Sequence, residues 1–229
     1  MQRMFADRMD AGRSLAASLK AHAGAPDTLV LGLPRGGVPV AYEIAQSLKL
    51  PLDVLVVRKL GLPWQPELAM GAIASGGALV RNEEVVRYLG DRADAFEAVR
   101  VREQAELERR ERDYRGDRPP LAMRGRTGIL VDDGLATGAT MEAAVRSLRA
   151  LGARRVVVAV PVASAEAKER IAEVADEVVC LATPMSFSAV GQWYADFGQT
   201  EDAEVRELLA RAPARAVTAP GKRRGTDHE

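Results

Sequence analysis

Short apolar runs alternate with segments of helical period along most of the chain. TLVLGL at 28–33, LDVLVV at 52–57, residues 127–132, RVVVAV at 155–160 and residues 178–181 are strand-length runs dominated by apolar residues. Between them, 38–48, 139–151 and 164–176 carry apolar positions at helical spacing. Met141, Val145, Leu148 and Leu151 line one stripe of the second. Residues 70–74 and 78–81 flank Gly76 and Gly77 and predict a hairpin. Strand–helix–strand units close by right-handed crossovers. The pattern therefore predicts an α/β fold, a mostly parallel central sheet with helices on both faces.

Three regions fall outside that alternation. Residues 4–22 read as an N-terminal amphipathic helix, and about 82–118 as a helical insertion. Within the insertion, 92–115 pairs Glu106 with Arg110, Glu108 with Arg112 and Glu111 with Arg115 at i,i+4 spacing, which predicts an exposed helix, a solvated lid or arm. Its mixed signs argue against a nucleic-acid surface. Beyond about Ala212 the chain is rich in Ala, Pro, Arg and Gly and is predicted to be disordered, leaving 1–211 as a single domain.

Composition narrows the class only slightly. The 229 residues suffice for one sizeable core, or a core with a small lobe, and 47% hydrophobic with 28% charged residues is ordinary for a soluble globular protein. Lys+Arg and Asp+Glu balance at 32 each, so no global charge draws the chain to nucleic acid or membrane. Cys180 is the only cysteine, which excludes an intrachain disulfide and a cysteine-based metal cluster; its apolar surroundings predict a buried structural thiol. MQRMFADRMDAGR contains no apolar signal region, and no run approaches 18 apolar residues, so a cytoplasmic location is expected.

Candidate chemistry concentrates in GILVDDGLATGAT, starting at Gly128. In an open parallel sheet, ligands bind beyond the carboxyl ends of the strands, where Asp132 and Asp133 fall. Ala136, Thr137, Gly138, Ala139 and Thr140 lead straight into a helix. Such a loop presents backbone amides, hydroxyls and the positive helix end to an anion. Carboxylates on one side and a phosphate cradle on the other suit a ligand with vicinal hydroxyls and a phosphate. The plainer reading is that the acids cap and Gly138 only turns the chain. There is no Gly-Lys-Ser/Thr of a P-loop and no G-x-G-x-x-G dinucleotide fingerprint.

VDDGLATGAT at 131–140 resembles the phosphoribosyl-diphosphate (PRPP) signature of the type I phosphoribosyltransferases, closest to adenine phosphoribosyltransferases and to a family of predicted phosphoribosyltransferases of unassigned substrate. PRGGVPVA at 34–41, RKLGLPWQPELAMGAIA at 58–74, VVAVPVA at 157–163 and QWYADFGQTEDAEV at 192–205 are similar to the latter family as well, so the resemblance covers roughly 5–210. It implies that Asp132 and Asp133 hold the ribose hydroxyls, and that Ala136 to Thr140 hold the 5′-phosphate. Arg35, Gly36 and Gly37 take the pyrophosphate, after a cis peptide joining Pro34 to Arg35. Arg58 and Lys59, with Asp133, are the implied catalytic set, opening a mobile loop that runs to about Pro66.

The implied reaction displaces pyrophosphate from PRPP by a nitrogen acceptor, expected to be a nucleobase. Mg²⁺ is the implied cofactor, brought with PRPP near Asp132 and Asp133 rather than bound by a protein-only site. Hypoxanthine-type relatives carry an acid where this chain has Ala136, which argues against 6-oxopurine specificity; adenine enzymes share the alanine. A hood near 182–200 is expected to receive the acceptor. Trp193 and Tyr194 are candidates for stacking on it, Phe197 is expected to pack, and Glu67 is a second candidate with capping or ion pairing as its ordinary role. The alternative to turnover is a regulatory protein that senses PRPP or a nucleotide. No nucleic acid or membrane partner is expected, and the resemblance leaves a homodimer open.

Overall fold

A computed structural model describes residues 4–88 and 93–212. In chain order, α1 (Arg8–Ser18), β1 (Thr28–Gly32), α2 (Gly37–Leu48) and β2 (Leu52–Val54) come first. β3 (Val57–Leu62), β4 (Gln65–Ala74), β5 (Ala78–Arg81), α3 (Glu83–Tyr88) and α4 (Ala93–Arg115) follow. The chain then runs through β6 (Thr127–Val131), α5 (Ala139–Ala150), β7 (Arg155–Val162), α6 (Ala165–Ala172), β8 (Glu177–Ala182) and α7 (Asp202–Arg211).

Five strands pair in parallel in the order β2-β1-β6-β7-β8, as the alternation predicts. Successive side chains leave a strand on opposite faces. Val30, Ile129, Val131 and Val157 accordingly pack on one side with Leu15 of α1, Leu19 just after it, Ile44 of α2 and Val205 of α7. Leu29, Leu31, Leu130 and Val158 pack on the other with Met141, Val145 and Leu148 of α5 and Ile171 of α6. Both faces are thus covered, which is why these strands read as unbroken apolar runs.

The run at 52–57 is not one strand. β2 ends at Val54, and Val57 begins a separate antiparallel sheet of β3, β4 and β5. Leu55 and Val56 are buried in the corner between the two, so no polar residue marks the break. The expected mobile loop at 59–66 is mostly strand: Lys59 pairs with Ala72 and Leu60 with Gly71, with register shifts on either side of Gly61. The hairpin at Gly76 and Gly77 forms as predicted, both glycines taking φ of +80°. The helix expected over 164–176 is shorter, starting behind Ser164, whose hydroxyl accepts from the Ala167 amide at 3.0 Å, and ending at Ala172. Cys180 is half-buried rather than buried, its Sγ donating to the Ala182 carbonyl at 3.1 Å.

The charged helix α4 is not a solvated arm. Phe96, Val99, Glu103, Leu107 and Tyr114 are buried along one side of it, a helical stripe that the surrounding charges mask in the sequence. Of the expected pairs, Arg110 reaches Glu106 at 2.7 Å and Arg115 lies 3.8 Å from Glu111, while Glu108 accepts from Gln104 instead. Arg115 spends its guanidinium elsewhere: Nε and one terminal nitrogen each donate to Asp53 of β2 at 3.0 Å. Asp53 is 2% and Arg115 8% exposed. The predicted tail, from 213 onward, lies outside the described residues.

That bidentate pair fixes the end of α4 to the edge strand of the main sheet. Asp53→Ala strands a buried guanidinium, and removing one partner of such a pair costs about 3–5 kcal/mol. Urea unfolding should show a loss of that order; a loss under about 1 kcal/mol would show that the pair is dispensable, as exposed pairs are.

Candidate functional site

Strand order reverses between β1 and β6, which connect outward in opposite directions, and the crevice at their carboxyl ends is where an open α/β sheet binds ligands. Their registers match through Gly32 beside Val131, so the loops leaving both strands start side by side. From β1 comes the turn into α2. Its Pro34–Arg35 peptide is cis, as the resemblance implies. A Cβ on Gly36 would sit 2.0 Å from Asp133 Oδ2, and one on Gly37 2.5 Å from the Val131 carbonyl. Only glycine lets this turn lie against the acids. The amides of Arg35 and Gly36 donate to no group among the described residues, and the Arg35 side chain is held only loosely, 3.9 Å from Asp202.

From β6 come Asp132 and Asp133. Oδ1 of Asp132 accepts from the Asp133 amide at 2.9 Å, and Oδ2 of Asp133 accepts from Arg8 Nε at 2.8 Å. Burial pushes the Asp132 carboxyl well above its ordinary value, and the neighbouring Asp133 charge pushes it further. Burial raises Asp133 too, against the opposing pull of Arg8. Two carboxylates are held together where water is scarce, an arrangement that hydroxyl donors or a cation would relieve.

Ala136 to Thr140 form the candidate cradle. Gly138 takes φ of +75° at the N-cap of α5, a conformation that side chains resist. The loop is pinned from below: the Leu135 amide donates to the Val162 carbonyl, and Ser164 Oγ donates to the Ala136 carbonyl at 2.8 Å. The amides of Thr137, Gly138 and Thr140 donate to no group among the described residues, and Thr137 and Thr140 are exposed. Donors of this kind at a helix start suit a phosphate.

The basic pair is divided. Arg58 and Lys59 are consecutive on β3 and leave it on opposite faces. Arg58 donates through Nε to the largely buried Glu103 of α4 at 2.8 Å. Exposed Lys59 lines a ≈ 490 Å³ cleft between the small sheet and α5, beside Ala139 and Glu142. The structure therefore gathers the acids with both glycine loops, puts Lys59 near the cradle, and commits Arg58 to α4.

The hood aromatics reverse the expectation. Trp193 and Tyr194, candidates for stacking, are core residues: Trp193 is 9% and Tyr194 2% exposed, in a cluster with Phe5 and Val162. The Tyr194 hydroxyl donates to the Asp133 carbonyl, and burial raises its pKa. Neither ring offers a free face. Phe197, expected to pack, does lie against Tyr194, ring centroids 4.9 Å apart, but stays 37% exposed. Sequence reasoning missed Arg8 and Glu103 as well, because neither lies near its partner along the chain. The side chain of Glu67 lies outside the described residues.

Because burial raises the Asp132 carboxyl, its ionised form is disfavoured in the fold. Below about pH 4 the group is neutral in both folded and unfolded chains; as pH rises the unfolded chain ionises first and folding stability is lost. Asp132→Asn should therefore melt higher than the parent at pH 7 without ligand, by about 2–4 °C per kcal/mol recovered, with the gap closing toward pH 4. A lower melting point for the variant at neutral pH would contradict this account.

Comparison with known proteins agrees with this geometry. Residues 3–196 match the phosphoribosyl transferase domain family. Mycobacterium tuberculosis proteins of strains CDC 1551 and H37Rv, provisionally named phosphoribosyl transferases, are each 53% identical over 210 residues, 92% of this chain and 47% of theirs. The chain thus spans about half the length of those relatives. The crystal structure of TT1426 from Thermus thermophilus shares 48% identity at a TM-score of 0.81, covering 90% of this chain and 97% of that one. Among the described residues no helix is long and apolar enough to cross a membrane. With the acids, the glycine turn and the 136–140 loop assembled at one crevice and a family match across most of the sequence, the chain belongs to the phosphoribosyl transferase domain family.

Proposed function

We propose that the protein transfers the 5-phosphoribosyl group from PRPP to a nitrogen acceptor, a nucleobase in the first instance, with release of pyrophosphate. One observation supports this above others. Two half-buried carboxylates lie between two loops, at one end of one pair of strands, and the amides of Arg35, Gly36, Thr137, Gly138 and Thr140 in those loops have no acceptor among the described residues. PRPP carries hydroxyls flanked by a phosphate and a diphosphate, in that order, and the residues follow the same order.

In this reading the cradle from Ala136 to Thr140 holds the 5′-phosphate, and Asp132 and Asp133 accept from the ribose hydroxyls. The Arg35–Gly37 turn takes the diphosphate, with the loosely held Arg35 turning toward it. The C1′–oxygen bond breaks with its electron pair leaving on pyrophosphate, a C1′–nitrogen bond forms, and the acceptor nitrogen loses its proton. Positive charge develops at C1′, and the adjacent carboxylates stabilise it through the hydroxyls they hold. Ala136 offers a methyl group where an acid would assist a ring nitrogen, so the acceptor's proton leaves to pyrophosphate or water. Lys59, lining the cleft beside Ala139, is the cation placed to meet the phosphates from the small-sheet side.

Mg²⁺ fits the acids as a partner of PRPP. Asp132 and Asp133 would hold the cation together with PRPP, since two crowded carboxylates suit a hydrated divalent ion. When bound, the ion would neutralise the diphosphate and favour its departure. In this reading the protein acts in the cytoplasm, without a membrane or nucleic-acid partner.

Pyrophosphate release from PRPP and Mg²⁺ across a panel of nucleobases tests the proposal. Release with at least one base is expected; tight PRPP binding without release from any nitrogen acceptor would favour a PRPP-sensing role instead. Asp133→Asn should weaken PRPP binding by about 1.5–3 kcal/mol, the range for hydrogen bonds to charged groups, measured by calorimetry. Gly138→Val should abolish ribose 5-phosphate binding and cost about 1–2 kcal/mol of stability from the left-handed backbone. Wild-type affinity in that variant would remove the cradle from the site.

A further inference from the structure

We propose that Arg8 is a positioning residue of the ribose site, aiming the Asp133 carboxylate and fastening the hood to it. The proposal rests on the PRPP reading above and adds to it a residue from the opposite end of the sequence.

The position of Arg8 is built, not incidental. Asp7 caps α1 by accepting from the Asp10 amide at 2.8 Å, and Asp10 reaches back to the Ala6 amide at 3.0 Å, which makes Arg8 the first residue of the helix. Just before the cap, the Met4 and Phe5 amides donate to the Trp193 carbonyl, and the Ala195 and Asp196 amides donate to Phe5 and Ala6. The start of α1 and the hood segment are thereby stitched into one unit above β6.

From there the guanidinium makes three contacts of different kinds. Nε donates to Asp133 Oδ2 at 2.8 Å, a terminal nitrogen donates to the Gly198 carbonyl at 2.7 Å, and the planar group lies 3.9 Å over the Phe197 ring. Its Nε is also 3.3 Å from where a Cβ on Gly36 would stand, so the cation borders the diphosphate turn as well. Asp133 Oδ2 is held between Arg8 and Gly36, while Oδ1 accepts from no group among the described residues. One carboxylate oxygen is fixed and the other is left for a ribose hydroxyl.

Anchoring α1 does not require this cation. The helix is already capped and buries Ala11, Leu15 and Ala16. A guanidinium whose side chain is only 13% exposed is costly to desolvate, and its bonds go to the ribose acid and to the hood rather than to its own helix. Arginine suits the task better than lysine, since one planar fork serves a carboxylate, a carbonyl and an aromatic face at once.

Calorimetry on the full chain separates the possibilities, using PRPP with Mg²⁺, ribose 5-phosphate and inorganic phosphate as probes on wild type, Arg8→Ala, Arg8→Lys, Asp133→Asn and the Arg8→Ala/Asp133→Asn double variant. Wild-type binding of PRPP comes first; its failure would overturn the functional reading itself. Given that binding, Arg8→Ala should weaken PRPP and ribose 5-phosphate on the order of ten- to a hundredfold, the usual loss for a charge-assisted contact. Inorganic phosphate, which needs only the cradle, should bind unchanged. Arg8→Lys should recover part of the loss, and Arg8→Ala should add little once Asp133 is already Asn. Ribose 5-phosphate affinity within about twofold of wild type in Arg8→Ala would overturn the proposal. So would an equal loss for inorganic phosphate, or an undiminished effect in the Asp133→Asn background. If Arg8→Ala does not fold, Arg8→Lys carries the test: unchanged affinity for PRPP and ribose 5-phosphate together with an unchanged melting point would overturn the role assigned to the fork.

Discussion

Holding two adjacent carboxylates in a partly dry crevice is the constraint around which this molecule is arranged. Asp132 and Asp133 repel one another and lose hydration, so both carboxyls sit above their ordinary range. A chain keeps such a pair only if the surroundings over-determine it. Here β6 is buried on both faces, the Asp133 carbonyl is taken by Tyr194, its carboxylate by Arg8, and the backbone of Gly36 closes the remaining side. What little the neighbourhood leaves unsatisfied faces the crevice.

Two ion pairs, one buried and one partly buried, show how differently the same chemistry is used. Asp53 gives both carboxylate oxygens to Arg115, at 3.0 Å each, and is nearly inaccessible. Nothing remains for a ligand, and the pair only joins α4 to the sheet. Asp133 gives one oxygen to Arg8 and keeps the other uncommitted. Arg58, like Asp53, is committed to a charged partner, Glu103, whereas Lys59, one residue away, lines the cleft beside α5.

The crevice is also a meeting point of segments distant in the chain. The main sheet supplies both glycine loops from strands in fixed register, so their separation is set by backbone hydrogen bonds. The segment around 193–198 comes from the other end of the described chain and is held by residues 4–6, just before α1, whose backbone pairs with 193–196. The small sheet reaches the cradle only from the side, through Lys59. A rigid floor from the main sheet, with walls contributed by distant segments, follows from that construction.

Periodicity alone determined the parallel sheet, the helices on its faces and the placement of Asp132, Asp133 and the 136–140 loop at a strand end, because those features are local. A buried strand is a continuous apolar run, and a phosphate loop is a short string of small residues before a helix. The corner at Leu55 and Val56 was invisible because burial on both sides of a break looks like one strand. The stripe from Phe96 to Tyr114 was hidden by the charges that flank it, so a packed helix read as a solvated one. Aromatics close together at Trp193, Tyr194 and Phe197 carry no sign of which ring faces inward; three-dimensional packing buried the first two and exposed the third. Arg8 lies 125 residues from Asp133, and only the tertiary fold, which pairs the beginning of the described chain with its hood, brings the guanidinium to the acid.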